Sequence, residues 1–436
     1  MSVPFGHKFK ETYFTYLDKA VVPINHGSYG TTPTAVLDEQ KYICEQHEHY
    51  PDKYEYFEAA SKYIEQVKLL GDYLGLDYHN LALVSNATSG INTILRSFPF
   101  DFSKDKILFH STSYGACANT VKFLHDYYGL QYDVVDLVFP MEDDNEILSK
   151  FEKKLSSTRY KMCMFDMISS MPSGQLPYEE LIKLCHRYDT LTLIDGAHAA
   201  GQVDLSFINE LKPDFLVSNL HKWLFVPKSC AFLYVDPKYH EIIQTLPVSW
   251  NYTQKYENKR DLLLNKFAKT GTISYSPFLT IGKAIEFRKE VCGGEDRIRK
   301  YQMDLQQQAI PVIIKIFGPG AKLLQNKRSN LNPPGMFNIK LPVLNYNQKY
   351  EILLKKMILD GSFFASFKQL CDHKMIYQHK VYAPFSLHNG DLWVRFSVQI
   401  FNEIDDYVIG AKIVAQVTSK VLDLELAKLS INDSKL

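Results

Sequence analysis

Seven short apolar segments between residues 80 and 235 constrain the fold of this chain more than any other feature of its sequence. They stand at 80–85, 106–110, 132–138, 160–167, 191–195, 215–219 and 231–235, and amphipathic stretches at 89–98, 115–127, 144–156 and 177–188 separate the first five. Apolar segments of strand length that alternate with helical stretches are typical of a mostly parallel sheet covered by helices on both faces. The gap before 231–235 is too short for a crossover helix, so we expect that last strand to run in the reverse direction.

Outside residues 80–235, we expect an N-terminal arm, a second domain and a C-terminal tail. Residues 240–276 show no regular pattern, and the last predicted helix spans 402–427. The predicted parts are an extended N-terminal arm over 1–33, a large α/β domain with a mostly parallel mixed sheet over 34–290, a smaller α+β domain over 291–430, and an exposed tail over 431–436.

The composition argues against several classes of function. The 436 residues include 49 basic and 49 acidic side chains, and no basic run stands out, so we expect no nucleic-acid partner. No apolar stretch reaches the roughly 18–20 residues of a membrane span, so we expect no membrane partner. The seven cysteines show neither CxxC nor metal-ligand spacing, which argues against a metal site and for a reduced compartment.

An acid and a lysine follow two neighbouring strands of the predicted sheet. The segment 191–195 ends on Asp195, and the segment 215–219 ends just before Lys222. A carboxylate and an amine at adjacent strand ends suit a pyridoxal phosphate (PLP) site, in which the lysine forms a Schiff base and the acid pairs with the pyridinium nitrogen. Taken singly, each residue also fits a plainer interpretation, a turn after Asp195 and a solvated lysine.

Together, Asp195, His198, His221 and Lys222 reproduce a family pattern. Their order and spacing resemble the class V family of PLP-dependent aminotransferases (fold type I), whose members include cysteine desulfurases, isopenicillin N epimerase and hercynylcysteine sulfoxide lyases. The arm sequence NHGSYG and the LHKW motif favour the epimerase-like and sulfoxide lyase-like branch. The resemblance implies the aspartate aminotransferase-like fold, PLP as cofactor, and a homodimer.

The resemblance also implies which residues hold the cofactor. Residues 84–92 form a strand, a small-residue turn and a helix start, a suitable phosphate site, although an ordinary helix cap is the alternative interpretation. Tyr114 is expected to stack on the pyridine ring, Ser169 or Ser170 to face its phenolic oxygen, and Thr272 to reach the partner's phosphate. The cofactor-binding candidates are Asn86, Ala87, Thr88, Ser89, Tyr114, Ser170, Asp195, His198, Asn219, His221, Lys222 and Thr272, with Lys222 also catalytic.

The substrate side is expected to centre on Arg395. Its planar guanidinium suits a carboxylate, and its surroundings match the small-domain pattern of the family. Asn25, His26 and Tyr29 in the arm resemble the substrate-side lid of the epimerase-like branch. Cys371 precedes Arg395 by a distance similar to that of a desulfurase nucleophile, but its sequence context indicates a helix and therefore an incidental thiol.

The reaction type stays open among several outcomes. We expect a PLP-dependent enzyme that acts on an amino acid, with C–S β-lysis of a cysteine derivative as the leading interpretation. Aminotransferase, epimerase and cysteine desulfurase activities are the alternatives, and a non-catalytic binding protein of this fold is the alternative from another class.

The last three residues match a targeting signal. Ser434, Lys435 and Leu436 form the tripeptide SKL, a peroxisomal signal when it stands at a C-terminus. We therefore expect a peroxisomal import receptor as a partner and a peroxisomal location, or a cytoplasmic one if the signal is not read.

Overall fold

A seven-stranded mixed sheet forms the centre of the larger part of the molecule. The structure is a computed structural model that describes residues 3–252, 254, 255 and 258–433. The strands of this sheet are β1 (Leu81–Val84), β2 (Lys106–His110), β3 (Gln131–Val135), β4 (Met162–Asp166), β7 (Leu191–Asp195), β8 (Phe215–Asn219) and β9 (Ala231–Val235), and a hairpin of β5 (Ile168–Ser170) and β6 (Ser173–Gln175) follows β4.

The sheet has the order β1-β9-β8-β7-β4-β2-β3. Strands β3, β2, β4, β7 and β8 pair in parallel, whereas β9 runs antiparallel to both β8 and β1. The predicted reversal of the last strand is therefore confirmed. Several strands, among them β1, β4, β8 and β9, are buried along their whole length, as expected for strands covered on both faces.

Helices cover this sheet and connect its parallel strands. Most of these helices lie where the amphipathic stretches predict them. An exception is the helix at 262–268, which lies in the segment 240–276 where the sequence predicts no regular structure. The helices of this part are α1 (His7–Tyr13), α2 (His26–Tyr29), α3 (Thr34–His49), α4 (Pro51–Lys53), α5 (Ala59–Leu74), α6 (Ala87–Ser97), α7 (Gly115–Tyr128), α8 (Asp144–Ser157), α9 (Tyr178–Arg187), α10 (Phe207–Leu211), α11 (Leu220–Trp223), α12 (Leu262–Ala268), α13 (Ser276–Leu279) and α14 (Ile281–Glu286).

The N-terminal arm differs from the extended segment that the sequence predicts. It contains the short helices α1 and α2, and its Phe9 and Phe14 side chains are buried. Phe14 packs edge-on against Phe225 of the larger part and against Phe401, which follows the second sheet. The apolar side chains of the arm thus fix it in place by burial, together with one isolated β-bridge between Val22 and Val381.

A second, three-stranded antiparallel sheet forms the smaller part. Its order is β10-β12-β11, with β11 not foreseen from the sequence. The last helix runs beyond residue 427, where the sequence predicts its end. The strands are β10 (Met336–Leu341), β11 (Phe385–His388) and β12 (Asp391–Ser397), and the helices are α15 (Glu295–Phe317), α16 (Val343–Tyr346), α17 (Glu351–Leu359), α18 (Gly361–His373) and α19 (Ile404–Asp433).

Two hydrophobic clusters correspond to the two sheets. Helix α15 begins after Gly294, whose φ of 90° lies in the region that favours glycine. Its first turn places Ile298 in the larger cluster, and its later turns place Ala309 and Phe317 in the smaller one. The fold class predicted from the sequence is confirmed, whereas the domain boundaries at 33, 290 and 430 remain predictions. Ser434, Lys435 and Leu436 lie outside the described residues.

Candidate active site

A cavity of about 450 Å³ lies at the carboxyl ends of β4, β7 and β8. Ligands of open α/β sheets bind at this end of the strands. The structure brings most of the predicted cofactor residues together here, and adds Ser28, Asp166, Ile168 and Ala197. The predicted residues that line the cavity are Tyr29, Asn86, Ala87, Thr88, Ser89, Tyr114, Ser170, Asp195, His198, Asn219, His221 and Lys222.

Lys222, in the one-turn helix α11, projects its amine toward His198. The Lys222 Nζ lies 3.2 Å from the His198 Nε2, and the Trp223 indole N–H donates to the His198 Nδ1 over 3.2 Å. An indole nitrogen can only donate, so the Nδ1 must accept and the proton of a neutral imidazole resides on Nε2. His198 is neutral, because burial lowers its pKa well below the usual value. The Nε2–H can therefore donate to an uncharged Lys222 amine.

Electrostatics shift the Lys222 amine toward the same uncharged form. Burial, followed by the positive charge of Arg395, lowers the pKa of Lys222 to about 8. Trp223 is itself fixed in place, since a Cβ at Gly335 would lie 2.5 Å from its Cζ3. Lys222 thus has the properties of a nucleophile and a general base near neutral pH.

Asp195, at the end of β7, is a buried carboxylate in need of a cation. Its Oδ1 accepts the Ala197 N–H over 2.9 Å, and the Cys117 thiol donates to its Oδ2 over 3.3 Å. Burial, followed by the neighbouring charge of Asp166, raises the pKa of Asp195 to about 6. None of the described basic side chains forms an ion pair with Asp195. A pyridinium nitrogen would supply the missing positive charge.

The start of α6 offers anion donors to the same cavity. The Asn86 Oδ1 accepts the Ser89 N–H over 2.8 Å, and the Asn219 Oδ1 accepts the Ala87 N–H over 2.9 Å. Both amides therefore cap the helix. The Thr88 N–H and hydroxyl have no hydrogen-bond partner elsewhere in the described chain, so Thr88 is the free donor of this turn for a phosphate.

Tyr114 lies at the mouth of the cavity, immediately before α7. Its side chain is 48 % exposed although the residue lines the cavity. An exposed aromatic ring beside a cavity is available to stack on an electron-poor ring. Stacking of Tyr114 on the cofactor ring stays a prediction.

The β5–β6 hairpin separates the two serine candidates. The Ser169 hydroxyl is buried and donates to the carbonyl oxygens of Pro172 and Gly174 within the hairpin. Ser170 instead lines the cavity, where its hydroxyl accepts from the Arg395 Nη1 over 3.2 Å. Of the two, only Ser170 is positioned toward the site.

Arg395, in the middle of β12, reaches from the small sheet to the edge of the cavity. Its Nη1 donates to the Ser170 carbonyl oxygen over 3.0 Å, and its Nη2 donates to Asn25 Oδ1 over 3.0 Å and to Ser28 Oγ over 2.6 Å. The Nε is buried and has no hydrogen-bond partner within the described residues. Arg395 therefore joins the arm, the hairpin and the small sheet at one point.

The two histidines of the arm and of α11 have fixed contacts. The His26 Nε2 lies 2.6 Å from the Lys222 carbonyl oxygen, so this ring supports the backbone of α11 rather than the cavity. The His221 Nδ1 lies 2.8 Å from the Cys230 carbonyl oxygen, and burial lowers the pKa of His221 to about 4.

Tyr29 lies at the rim of the cavity, where its side chain is 69 % exposed.

Thr272 and Cys371 lie away from the cavity. Thr272 is exposed and does not line the site of its own chain. Cys371 is buried in α18, and burial raises its thiol pKa above the usual value. A protonated, enclosed thiol is a poor nucleophile.

Besides Ser28, Ile168 and Ala197, which line the cavity, three further side chains of the site are not among the candidates predicted from the sequence. Asp166 ends a buried strand on an acid, the same signal that singled out Asp195, and its Oδ1 lies 3.3 Å from the His110 Nε2. Cys117 and Trp223 act through their hydrogen bonds to Asp195 and His198, respectively. These bonds join segments that are distant in the sequence, so no local sequence pattern predicts them.

The residues present fit PLP. They combine an unpaired buried acid for the ring nitrogen, an amine with a lowered pKa for the aldehyde, and a helix start with free donors for the phosphate. No group of three or more metal-binding side chains is found over the described ranges, and none of the described helices is long and apolar enough to span a membrane.

Comparison with known proteins agrees with this fit. A model of the Aminotransferase class-V family matches residues 30–359. The chain belongs to this family. It is a PLP-dependent enzyme, and the placement of Lys222 and Asp195 gives the positions at which this member is equipped to hold the cofactor. The individual site roles remain predictions.

Curated relatives indicate which branch of the family this chain resembles most. The chain is 31 % identical to the hercynylcysteine sulfoxide lyase of Schizosaccharomyces pombe over 83 % of this chain and 92 % of that protein. It is 28 % identical to a probable chloroplastic L-cysteine desulfhydrase of Arabidopsis thaliana over 91 % and 83 %, respectively. The isopenicillin N epimerase of Streptomyces clavuligerus is 25 % identical over 66 % of this chain and 74 % of its own. These relatives confirm the branch inferred from the sequence.

Solved structures share the fold. A C-DES mutant with glycine covalently linked to the PLP cofactor has a TM-score of 0.67 at 13 % identity, covering 95 % of this chain and 99 % of that one. The apo cysteine desulfurase of Thermococcus onnurineus NA1 has a TM-score of 0.67 at 15 % identity, covering 96 % and 99 %. At these identities, the similarity establishes the fold alone.

Proposed function

We propose that the protein is a C–S β-lyase that cleaves a cysteine derivative to pyruvate, ammonia and a sulfur species. The observation that carries the proposal is the contact between Lys222 and His198, which provides a general base inside a cavity bordered by a buried arginine. The similarity to a hercynylcysteine sulfoxide lyase and to cysteine desulfhydrases supports sulfur as the leaving atom.

The chain's own residues would divide the work as follows. Arg395 binds the substrate carboxylate, and Lys222 removes the proton from Cα. PLP, when bound, supplies the electron sink for the negative charge that develops at Cα. Asp195 would keep the ring nitrogen protonated. Burial raises the pKa of this carboxyl, and the positive charge of a protonated ring nitrogen would counter that effect and keep the carboxylate ionised. The Cβ–S bond then breaks, and the sulfur substituent leaves with the bonding electrons. After its release, the unsaturated amino acid that remains is hydrolysed by one water molecule to pyruvate and ammonia.

Product analysis distinguishes this reaction from the alternatives. Purified holoenzyme supplied with a cysteine conjugate or its sulfoxide should release pyruvate and ammonia in equal amounts without a keto acid acceptor. A strict need for pyruvate or glyoxylate as acceptor would establish an aminotransferase, and inversion at Cα without cleavage would establish an epimerase. Either result would contradict the lyase proposal.

We further propose that the active unit is a homodimer. Thr272 is exposed beside Ile273, and the nearby Tyr56 and Phe57 are 76 % and 80 % exposed. Lys269 connects these segments, because its Nζ lies 5.4 Å from the Tyr56 ring centre. Exposed apolar patches of this kind are typical of protein interfaces. Sedimentation of the active enzyme should give a dimer, and a fully active monomer would refute this proposal.

The C-terminal tripeptide supports a peroxisomal location. We propose that an import receptor reads Ser434, Lys435 and Leu436. Deletion of the three residues should move a fluorescent fusion from peroxisomes to the cytosol while the purified variant keeps full activity. Peroxisomal fluorescence that survives the deletion would contradict the assignment, provided that the partner subunit also lacks the tripeptide.

A further inference from the structure

A second cavity lies between the N-terminal arm and the smaller part of the molecule. Its volume is about 380 Å³, and residues 17–31 and 376–382 form most of its walls. We propose that this cavity, the arm pocket, binds the sulfur substituent of the substrate, and that this substituent is an uncharged apolar group of about the size of an aromatic ring. The inference rests on the proposed function, since it specifies the part of the substrate beyond the sulfur atom.

The arm pocket continues the active site. Tyr29 lines both cavities. Asn25 lines the arm pocket and accepts the hydrogen bond from the Arg395 Nη2. In a cysteine derivative, the sulfur stands only a few bonds from the carboxylate, so a carboxylate bound at Arg395 leaves the substituent beside this opening.

The walls of the arm pocket are apolar. Phe401 and Val381 are buried at its base, and Tyr29 and Tyr382 add two phenol rings. Such a surface gains free energy by removing an apolar substituent from water, and its rings can pack against a second ring. A cavity of about 150 Å³ is enough to hold benzene, so the arm pocket has room for a ring-sized group.

The charged groups of the pocket cancel each other. Asp18 and Lys380 form an ion pair at 2.6 Å across the two walls, which leaves no unpaired charge for an ionised substituent among the described residues that line the pocket. His26 is uncharged, because burial lowers its pKa to about 3. A charged substituent would therefore lose its hydration without gaining a counter-ion.

Two unreactive carboxylates test the pocket without requiring turnover. 3-(Benzylthio)propanoate and 3-(methylthio)propanoate both carry the carboxylate and the sulfur but lack the amino group. Calorimetric titration of the holoenzyme should show that the benzyl compound binds about 10- to 100-fold more tightly, because its ring is buried. Val21→Trp should abolish this preference by filling the pocket, since Val21 is a half-buried wall residue. Binding of the methyl compound should stay within about twofold.

Matched variants give the comparison. Val138→Trp makes the same change at an exposed position outside both cavities and should keep the preference. Ile376→Trp, on the exposed rim of the pocket, repeats the test if Val21→Trp does not fold. Equal binding of the two compounds, or an unchanged preference in the filled variants, would overturn the inference.

The test separates this inference from the proposed function. If the holoenzyme prefers the benzyl compound and the filled variants lose that preference, the pocket and its ligand class stand even when product analysis finds no C–S cleavage. If the filled variants change only the sedimentation of the enzyme, a partner subunit occupies the pocket and the inference fails. Cleavage of a methyl and a benzyl cysteine sulfoxide with the same kcat/KM would also contradict it.

Discussion

Replacing Arg395 by lysine tests whether this guanidinium binds the substrate carboxylate. Arg395 is buried, and its four hydrogen bonds to Ser170, Asn25 and Ser28 fix the plane of the guanidinium. Lysine keeps the positive charge but presents a single nitrogen, so it cannot bind a carboxylate through two parallel hydrogen bonds. Loss of one charge-assisted hydrogen bond costs about 2–3 kcal/mol. The affinity should therefore fall roughly 30- to 150-fold.

The charge at position 395 also affects the pKa of the Lys222 amine. The charge of Arg395 helps to lower the pKa of Lys222 to about 8, second only to burial. Arg395→Lys retains this charge and should leave the pKa of Lys222 unchanged, whereas Arg395→Gln removes it and should raise that pKa. Lysine thus separates the geometry of the guanidinium from its charge.

Two assays distinguish these effects. Calorimetric titration with 3-(methylthio)propanoate measures carboxylate binding, and the pH dependence of PLP uptake by the apoenzyme reports the pKa of Lys222. Arg159→Lys, at an exposed position, is the matched control and should change neither quantity. Binding to Arg395→Lys within about twofold of the unmodified protein would place Arg395 outside the substrate site. An unchanged or lowered midpoint of PLP uptake in Arg395→Gln would refute the electrostatic part of the reasoning.

Three further predictions concern the amine, its orientation and the free thiol. The rate of PLP uptake by the apoenzyme should rise with pH to a midpoint near 8, because the lowered pKa leaves Lys222 uncharged above it, and a stopped-flow absorbance series without such a step would contradict this. Trp223→Phe removes the donor to His198, so the imidazole can accept at Nε2 from a protonated Lys222, and the midpoint should move to higher pH rather than stay constant. Cys371→Ser should keep the C–S cleavage rate within about twofold, since the thiol is buried and protonated, whereas abolished turnover would revive the desulfurase interpretation.

The sequence was most informative where the chemistry follows a local pattern. The ends of β7 and β8 can be located because buried parallel strands are short apolar segments, and Asp195 and Lys222 follow directly from them. Residues such as Cys117 and Trp223 could not be found in this way. Their roles depend on contacts with segments 78 and 25 residues away, which only the packing of helices against the sheet determines.

The arm and the β5–β6 hairpin show a second limit. The arm is predicted to be extended, yet it contains two short helices, and burial of Phe9 and Phe14 fixes the first of them. The choice between Ser169 and Ser170 depended on the hairpin, in which consecutive side chains point to opposite faces. One residue of register therefore decides which hydroxyl meets Arg395, and the sequence alone does not specify that register.

Mass spectrometry of the borohydride-reduced holoenzyme tests the central claim most directly. Reduction fixes PLP to the lysine that carries it, and peptide mapping identifies that residue. The account predicts a phosphopyridoxyl group on Lys222, with none of it transferred to another lysine in Lys222→Ala. A competitor is Lys228, an exposed lysine six residues further along the chain whose pKa is also lowered by partial desolvation. Attachment to Lys228, or to any lysine other than Lys222, would contradict the assignment of the cavity as the cofactor site.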